Sequence, residues 1–408
     1  MRTFLYNIST AVLRILLPLA ARFSGKVKLF CQGRKQLTPT IKQNLKENKA
    51  PLFWVHCASV GEFEQGLPVI ELLKKKHPTW KVVITFFSPS GYETVNHSLI
   101  DFKYYLPYDT AHNAAQFIDL VQPEFALFIK YEYWYHFLKV LNARQVPTYS
   151  VSSIFRPSQA FFKWYGGWNR KMLSQFTFFM VQDQTSINLL HSIGLKNATL
   201  TGDTRFDRVL ELKKEPLNFP EIEHFIEDRP VFLIGSLRAE DNEVIFSFIN
   251  TNPTYAFIIA PHDITEKHIA EIEASVSSTV RHSNLLENSK KKVLIIDSIG
   301  KLSRLYRVAN LAYVGGGFSD GIHNILEPAV YHIPIFFGNK QYKKYKEAVD
   351  LVNQSVAFPV KDEIELGALV KAIDNPEKLA IIKASLKQYV KSNKGAALKV
   401  VNIINEQQ

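Results

Sequence analysis

A glutamate lies directly behind a glycine in the stretch HCASVGEFEQG, residues 56–66, and its carboxylate could take up a proton. The apolar run before it is typical of a buried strand, and the residues after it are typical of a helix. Gly61 permits a tight turn between the two elements. Glu62 would then stand near a helix N-terminus, where the dipole stabilises a carboxylate by about 0.3–1 kcal/mol. Two interpretations remain open: an ordinary charge at a helix start, or a general base with Ser59 and Gly61 as neighbouring candidates for substrate contact.

A second carboxylate, Glu132, follows another apolar run in the stretch IKYEYWYHF. Its aromatic neighbours Tyr131, Tyr133 and Trp134 allow two interpretations: an acceptor for sugar hydroxyls, or a hydrogen-bonding centre within the core. The loop SSIFRPS follows the next predicted strand, so it lies near the same edge of the sheet. Arg156 in that loop could bind an acidic group through its planar guanidinium.

A glycine-rich turn follows a third apolar run in the stretch LAYVGGGFSDGIHNILEP. Its glycines precede a helix predicted to begin near His323, an arrangement typical of a backbone-amide cradle for phosphate. Glu327, one turn into that helix, could accept hydrogen bonds from a ribose diol. The turn is not the dinucleotide-binding fingerprint, and glycine loops alone are weak signals. The glycine candidates are Gly315, Gly316 and Gly317.

Two further loops follow apolar strands in the second half of the chain, IGSLRAED and APHDITEKH. Ser236, Arg238, Pro261 and His262 lie in them as candidate contacts for a phosphorylated ligand. The alternative for each is an ordinary turn residue.

The N-terminus, MRTFLYNISTAVLRILLPLAARFSGKVKLF, is apolar with basic residues at intervals. Arg14 interrupts the apolar run and Pro18 would kink a helix, so a clean membrane span is disfavoured. Apolar residues can share one face, with basic side chains reaching lipid phosphates. We expect residues 1–28 to form an anchor on, or marginally inserted into, the cytoplasmic side of a membrane; the alternative is a helix buried against the protein's own body.

Composition narrows the class of protein. The chain has 408 residues, a net charge of +11 and two cysteines, Cys31 and Cys57, so it favours anionic partners and is not a disulfide scaffold. Lys and Arg are dispersed and no nucleic-acid-binding module appears, so nucleic acid is not an expected partner. The sequence lacks D-x-D, H-E-x-x-H, C-x-x-C and Walker lysine motifs. We therefore expect neither a metal site nor a cofactor.

Strand–helix alternation with apolar strands predicts an α/β protein with parallel sheets covered on both faces. The pattern is interrupted at 211–229, a charged stretch with two prolines that is typical of a linker. We therefore predict a first domain over 29–210 and a second over 230–408, with the last helix a candidate to pack back on the first domain. Two doubly wound, Rossmann-like domains facing a central cleft would place their ligands at the carboxyl ends of the strands.

Five stretches together resemble a known family: WVHCASVGEFEQGLPVI, YLPYD, KYEYW, TGDTRFDRV and YVGGGFSDGIHNILEP. In this order they are similar to the 3-deoxy-D-manno-octulosonate (Kdo) transferases of lipid A assembly, in particular those of Bacteroides-like bacteria. The resemblance implies a metal-independent GT-B glycosyltransferase on the cytoplasmic face of the inner membrane of a Gram-negative bacterium. It implies transfer of Kdo from CMP-Kdo to the tetraacyl lipid A precursor, lipid IVA, with the acceptor in the first domain and the donor in the second.

By the same resemblance, Glu62 matches the catalytic base and Glu132 a second functional acid. Asn324 and Glu327 match residues that bind CMP, with Glu327 on the ribose, and Ser236 falls in a donor-side turn. The chain departs from the family where many members have Pro-Arg-His and this one has Pro261, His262 and Asp263, so Arg238 is expected to supply the missing charge. Ile322 stands where glycine is common, which puts contacts at Gly321 and Ile322 in doubt.

Two alternative functions are compatible with the same fold. One is another GT-B transferase that uses a UDP-sugar and a lipid-linked acceptor. The other is a catalytically inactive, membrane-bound binding protein, which the presence of all three glutamates disfavours.

Overall fold

The computed structural model describes residues 2–217, 219–285 and 290–407. The chain divides into two compact units: unit 1 is Met1–Arg208 with Lys394–Gln408, and unit 2 is Val209–Asn393. Each unit contains a seven-stranded sheet in its described residues. Every strand pairing in the two sheets is parallel.

The strands of unit 1 follow the apolar runs of the sequence. They are β1 Leu52–Cys57, β2 Lys81–Phe86, β3 Phe102–Tyr105, β4 Phe125–Ile129, β5 Thr148–Ser153, β6 Phe178–Val181 and β7 Ala198–Leu200. Their order in the sheet is β3-β2-β1-β4-β5-β6-β7. From the adjacent strands β1 and β4 the chain winds outward in opposite directions, so the topological switch point lies between these two strands.

Helices cover the sheet of unit 1, and several begin at a residue whose side chain caps the first turn, such as Thr110 and Asp183. The helices of unit 1 are α1 Arg2–Ala20, α2 Gly25–Gln32, α3 Leu37–Leu45, α4 Val60–Lys76, α5 Pro89–Thr94, α6 Ala111–Val121, α7 Tyr135–Ala143, α8 Gly167–Leu173 and α9 Gln184–Ser192. Helix α10, Arg205–Lys214, begins in unit 1 and continues into unit 2.

Both faces of this sheet are buried. Trp54 and Phe128 belong to a core cluster on one face, and Val55 and Leu127 belong to a cluster on the other face. This alternation along β1 and β4 explains why both strands read as continuous apolar runs.

Unit 2 repeats the arrangement. Its strands are β8 Val231–Leu237, β9 Ala256–Pro261, β10 Thr279–Arg281, β11 Val293–Ile295, β12 Leu311–Val314, β13 Ile335–Gly338 and β14 Ala357–Val360, in the order β10-β11-β9-β8-β12-β13-β14. Its helices are α11 Pro220–Ile226, α12 Asn242–Thr251, α13 Glu266–Ser275, α14 Leu302–Leu305, α15 Leu326–Val330, α16 Lys346–Asn353, α17 Glu363–Ile373 and α18 Pro376–Asn393. The switch point of this sheet lies between β8 and β12.

The structural division differs from the domain boundaries expected from the sequence at two places. The stretch 211–229, expected to be a linker, contains the end of α10 and all of α11, and Ile222 and Phe225 are buried in the core of unit 2. The final helix, α19 Ala396–Glu406, packs on α4 and belongs to unit 1. The carboxylate of Asp207 accepts hydrogen bonds from the backbone amides of Gly395 and Ala397, which fixes the start of this helix.

Helix α1 is attached to unit 1 along one side and exposed along the other. Tyr6 donates its hydroxyl hydrogen bond to Asp109, and His136 Nε2 lies 2.7 Å from Asn7 Oδ1. None of the residues of α1 is buried, and within the described residues it is the one helix long and apolar enough to cross a membrane. Its exposed large apolar side chains are Phe4, Leu5, Ile8, Val12, Leu13, Ile15, Leu16 and Leu19.

Candidate active site

Glu62 is the third residue of α4, directly after β1. The hydroxyl of Ser59, the residue before the helix, donates to Glu62 Oε2. In a capping box, the two side chains at these positions instead bond to each other's backbone amides, and Ser59 makes no such bond. Glu62 Oε1 has no hydrogen-bond partner among the described residues. The carboxylate is thus oriented through one oxygen while the other is left for a ligand.

Gly61 does not have the role expected of it. Its φ is not positive, and a side chain there would meet only Ser59 Oγ, at 3.8 Å. The strand-to-helix turn is made instead by Ser59 in an extended conformation, with φ of −147° and ψ of −174°. What Gly61 provides is open space beside Glu62.

Glu132 follows β4 and is held by two ring nitrogens. Trp134 Nε1 donates to Glu132 Oε2 at 2.8 Å, and His56 Nε2 lies 3.2 Å from the same oxygen. His56 is fully buried in β1, and its Nδ1 lies 3.1 Å from the carbonyl oxygen of Thr85, which can only accept. Glu132 is a hydrogen-bonding centre, as one of the two interpretations predicted, and its Oε1 has no described partner.

The two carboxylates lie at the switch point of the sheet, at the carboxyl ends of the adjacent strands β1 and β4. The thiol of Cys57, the last residue of β1, lies close enough to both carboxylates for their charges to change its pKa. Burial, and then the negative charges of Glu62 and Glu132, raise the pKa of the Cys57 thiol well above its ordinary value. One buried thiol thus has both glutamates as electrostatic neighbours, which places them in the same region of unit 1.

The stretch TGDTRFDRV supports the helix that carries Glu62. Gln65 Nε2 donates to Asp203 Oδ1 at 2.9 Å, and the Thr204 hydroxyl donates to the backbone carbonyl of Gln65 at 2.6 Å. Burial opposes ionisation of Asp203, but the charge and hydrogen bonds of Arg205 outweigh it and lower the pKa of Asp203. This motif therefore positions α4 from behind.

Arg156 lies in the loop after β5, as expected, and is exposed. Its backbone amide donates to Gln159 Oε1 at 2.9 Å. Its predicted role in binding an acidic group remains a prediction.

In unit 2, the guanidinium of Arg238 lies between two histidines and an aspartate. Its Nε donates to His323 Nε2 at 3.1 Å, and its Nη2 lies 3.4 Å from His262 Nε2. Nη1 lies 3.6 Å from a carboxylate oxygen of Asp320, a side chain that is 94% exposed. The guanidinium is thus oriented by two imidazoles, and its acidic neighbour is exposed to solvent.

Both histidines of this cluster are neutral at pH 7. Burial, with the nearby charges of His262 and Arg238, lowers the pKa of His323 to about 4. Burial and Arg238 likewise lower the pKa of His262. The rings lie 4.5 Å apart between centroids. Because His323 is neutral, its Nε2 can accept the hydrogen bond from Arg238 and hold the guanidinium in place.

The glycine-rich turn allows close backbone packing and does not form the expected amide cradle at Gly315 and Gly316. The Gly315 amide donates to the carbonyl of Gly235 at 2.9 Å, and the Gly316 amide donates to the buried carboxylate of Asp241 at 2.8 Å. These two amides are therefore engaged within the protein. Gly316 has φ of +92°, and a side chain on Gly317 would lie 2.3 Å from the carbonyl oxygen of Gly338, so both positions require glycine.

The helix after this turn begins at Leu326, not near His323, so Glu327 is its second residue. Asn324 Nδ2 donates to Glu327 Oε1 at 3.1 Å, and Asn324 Oδ1 accepts from the Leu326 amide at 3.2 Å. Asn324 thus binds both the first amide of this short helix and the carboxylate of Glu327.

Ser236 and Pro261 lie side by side at the ends of β8 and β9. The register between these strands shifts between Gly235 and Leu237, and Ser236 has φ of +55°. A positive φ is uncommon outside glycine and is found at turns and strained sites. The irregularity turns the chain toward Arg238.

Several residues of the site were not singled out from the sequence: His56, Trp134 as a donor, Asp241 and His323. The available signal was a polar residue at the end of an apolar strand, as for His56 in LFWVHC. Within the described residues, no group of three or more His, Cys, Asp or Glu side chains could hold a metal ion.

A family model and several curated relatives that resemble this chain carry the same description. The model of a family described as 3-deoxy-D-manno-octulosonic-acid transferase matches residues 32–208. A 3-deoxy-D-manno-octulosonic acid transferase from Aquifex aeolicus is 28% identical over 337 residues, covering 80% of this chain and 86% of that protein. The Haemophilus influenzae protein of the same name is 26% identical over 306 residues, covering 71% of each chain.

Solved structures support the fold. UDP-GlcNAc 2-epimerase from Neisseria meningitidis superimposes with a TM-score of 0.63 at 16% identity, covering 87% of this chain and 100% of that chain. MurG from Acinetobacter baumannii gives a TM-score of 0.55 at 12% identity, covering 88% and 99%. The two units, each with a doubly wound parallel sheet, therefore have the GT-B fold.

The chain is similar to Kdo transferases over most of its length, and its residues 32–208 match their family model. It is therefore an enzyme that transfers Kdo in lipopolysaccharide synthesis.

Proposed function

We propose that the enzyme transfers Kdo from CMP-Kdo to lipid IVA, with inversion and without a metal ion. The observation that carries the proposal is Glu62, which is oriented by Ser59 through one oxygen and offers the other at the switch point of unit 1. A positioned carboxylate of this kind is suited to accept a proton from a hydroxyl group.

In the proposed reaction, the acceptor's primary hydroxyl oxygen attacks the anomeric carbon of Kdo. The bond from that carbon to the phosphate oxygen breaks, and its electron pair leaves with CMP. The hydroxyl proton passes to Glu62. Glu132, held by Trp134 and His56, accepts hydrogen bonds from the acceptor sugar and fixes its orientation.

The donor end of the proposal rests on unit 2. The cation of Arg238 neutralises the charge that develops on the departing CMP phosphate. The carboxylate of Glu327, fixed by Asn324, accepts from the ribose hydroxyls. Ser236, Pro261, His262 and Gly317 line the turns around these two groups and are proposed to contact the donor.

The membrane part of the proposal rests on α1. Its exposed apolar side and the net charge of +11 suit the anionic cytoplasmic face of the inner membrane, where a phosphorylated lipid acceptor would be presented. Because α1 is hydrogen-bonded to unit 1 through Tyr6 and Asn7, we propose that it lies in the interface.

The test is incubation of the purified enzyme with CMP-Kdo and lipid IVA, followed by mass spectrometry of the lipid. We expect the lipid to gain the mass of Kdo. Product formation with a UDP-sugar and not with CMP-Kdo, together with competition by UDP and not by CMP, would show a different GT-B transferase. Tight binding of CMP-Kdo without any product would show a binding protein.

A further inference from the structure

A cationic cavity lies beside α1, apart from the residues assigned to the active site. Its volume is about 360 Å³, and it is lined by Arg14 of α1, Lys28 and Cys31 of α2, and Arg34 and Lys35 after α2. Pockets that bind small groups have volumes of roughly 300–1,000 Å³, so the cavity is large enough for a ligand.

The positive charges around this cavity have no acidic partner. Among the described residues, no carboxylate forms an ion pair with Arg14, Lys28, Arg34 or Lys35. Arg34 is half-buried, and desolvation makes a half-buried charge without an ionic partner costly, whereas Arg14, Lys28 and Lys35 are exposed. Four cations on one cavity also repel one another, and a bound anion would relieve both costs.

Arg34 is the cation fixed most firmly. Its Nε, Nη1 and Nη2 donate to the carbonyl oxygens of Leu106, Phe30 and Phe87 at 2.9, 3.0 and 2.8 Å. These acceptors and the Phe30 ring, whose centroid lies 3.7 Å from the guanidinium carbon, stabilise the cation but carry no negative charge to neutralise it. Burial lowers the pKa of Arg34 to about 10, so it remains a cation at neutral pH.

The position of the cavity indicates the source of the anion. Arg14 and Pro18, one turn apart on α1, form one wall, and the neighbouring Leu13 and Leu16 on the same helix are 44% and 54% exposed. A group bound in this cavity must therefore carry a negative charge and lie at the edge of the apolar surface of α1. Arg and Lys bind phosphate well, and lipid headgroups carry phosphate at this boundary.

We propose that this cavity binds the headgroup phosphate of an anionic lipid in the leaflet on which α1 lies. The proposal rests on the proposed function only for the membrane location of α1. Arg34 supplies a fixed positive charge to the phosphate, and Arg14, Lys28 and Lys35 close around it.

Cys31 provides a readout that does not depend on catalysis. It lines the cavity and is partly exposed, whereas Cys57 is fully buried and serves as an internal unreactive thiol. The experiment measures the rate of Cys31 alkylation by iodoacetamide with phosphatidylcholine vesicles containing roughly one third phosphatidylglycerol, an anionic lipid. At a lipid concentration about ten times the apparent Kd, we expect alkylation to slow ~10-fold.

The double variant Lys28→Gln/Lys35→Gln removes two cations from the cavity and tests whether they bind the lipid headgroup. The matched control is the double variant Lys42→Gln/Lys46→Gln, which removes the same charge from exposed lysines on or beside α3, outside the cavity. Rates are compared at lipid concentrations where sedimentation shows equal vesicle binding. We expect the first pair to lose the protection and the control to keep it.

Equal protection in both pairs, or equal protection by pure phosphatidylcholine vesicles, would overturn the proposal. Protection by inorganic phosphate without vesicles would overturn the assignment to a lipid headgroup. A Glu62→Gln variant should keep the protection in full, so failure of the proposed transfer reaction and failure of this site are separable.

Discussion

Trp134 Nε1 donates a hydrogen bond to Glu132 Oε2 at 2.8 Å, and the two residues are two positions apart in the turn after β4. The same oxygen lies 3.2 Å from Nε2 of the buried His56, so the orientation of Glu132 is set by the indole and imidazole rings around it. Glu132 is therefore presented to ligands through its other oxygen.

Trp134→Phe keeps the aromatic packing and removes the donor. A hydrogen bond to a charged group contributes about 1.5–3 kcal/mol, so we expect kcat to fall roughly 10–100-fold. The KM for CMP-Kdo should not change, because Trp134 lies in unit 1 and the proposed donor residues lie in unit 2. Trp164→Phe is the control, since Trp164 is 92% exposed. Similar kcat values for the two variants would remove Trp134 from the site.

Glu62→Gln should bind CMP-Kdo normally and lose transfer by about 10²–10⁴-fold, the usual contribution of a positioned base. Glu64→Gln on the same helix is the control, because the Glu64 carboxylate is already paired with Arg208. Isothermal titration with CMP and a mass-spectrometric transfer assay measure the two properties. Turnover like that of the wild type in Glu62→Gln would exclude the base role.

Arg238→Ala should raise the KM for CMP-Kdo by roughly 10–100-fold and lower kcat, because it removes a charge-assisted contact of about 1.5–3 kcal/mol. Lys267→Ala removes an equal charge from an exposed lysine of α13 and should change neither constant. Steady-state kinetics with varied CMP-Kdo measure both variants. If Arg238→Ala keeps both constants, another cation must neutralise the phosphate.

Asn324→Ala and Glu327→Gln should act as a coupled pair, because Asn324 Nδ2 holds Glu327 Oε1 at 3.1 Å. Each single variant should weaken CMP binding by about 10-fold, and the double variant should be weakened by clearly less than the product of the two. Titration with CMP and with 2′,3′-dideoxy-CMP measures the effect. Independent effects, or equal losses for the dideoxy analogue, would contradict a ribose contact.

The pKa of His323 predicts a specific loss of stability in acid. Burial, with His262 and Arg238, lowers this pKa from 6.5 to about 4, so between these values the unfolded chain binds a proton that the folded chain does not. Stability should therefore fall as the pH falls through this window, by about 1–3 kcal/mol from this group. Urea unfolding at several pH values should show a flatter pH dependence for His323→Asn than for the wild type.

The matched control for this experiment is His112→Asn, which removes an exposed histidine of unit 1. Its pH dependence should follow that of the wild type. An unchanged pH dependence in His323→Asn would show that protonation of His323 does not destabilise unit 2.

The sequence predicts the α/β architecture well, because strands buried on both faces leave continuous apolar runs such as LFWVHC and FALFI. The edge strands β7 and β10 contain no buried residue, so no apolar run marks them in the sequence. The stretch 211–229 was assigned to a linker because of its prolines and charges. Yet Ile222 and Phe225 show the i, i+3 spacing of a buried helix face.

The candidate site divides in a similar way. Glu62, Glu132 and Glu327 stand out because each follows an apolar run or a glycine turn. His56 was missed because its partners Thr85 and Glu132 lie 29 and 76 residues away in the sequence, so no local spacing connects them. For Gly315 and Gly316 the prediction of a phosphate-binding amide cradle was wrong. Their amides donate instead to the carbonyl of Gly235 and to the buried carboxylate of Asp241.

The pairing of Asp207 with the amides of Gly395 and Ala397 makes unit 2 an insertion whose two ends meet at unit 1. The chain leaves unit 1 and re-enters it at two positions that a hydrogen bond already holds together. A short glycine bridge from Arg208 to Lys394 would therefore close unit 1 without the intervening 185 residues. The resulting minimal protein would retain α19 against α4, and with it the support of Glu62.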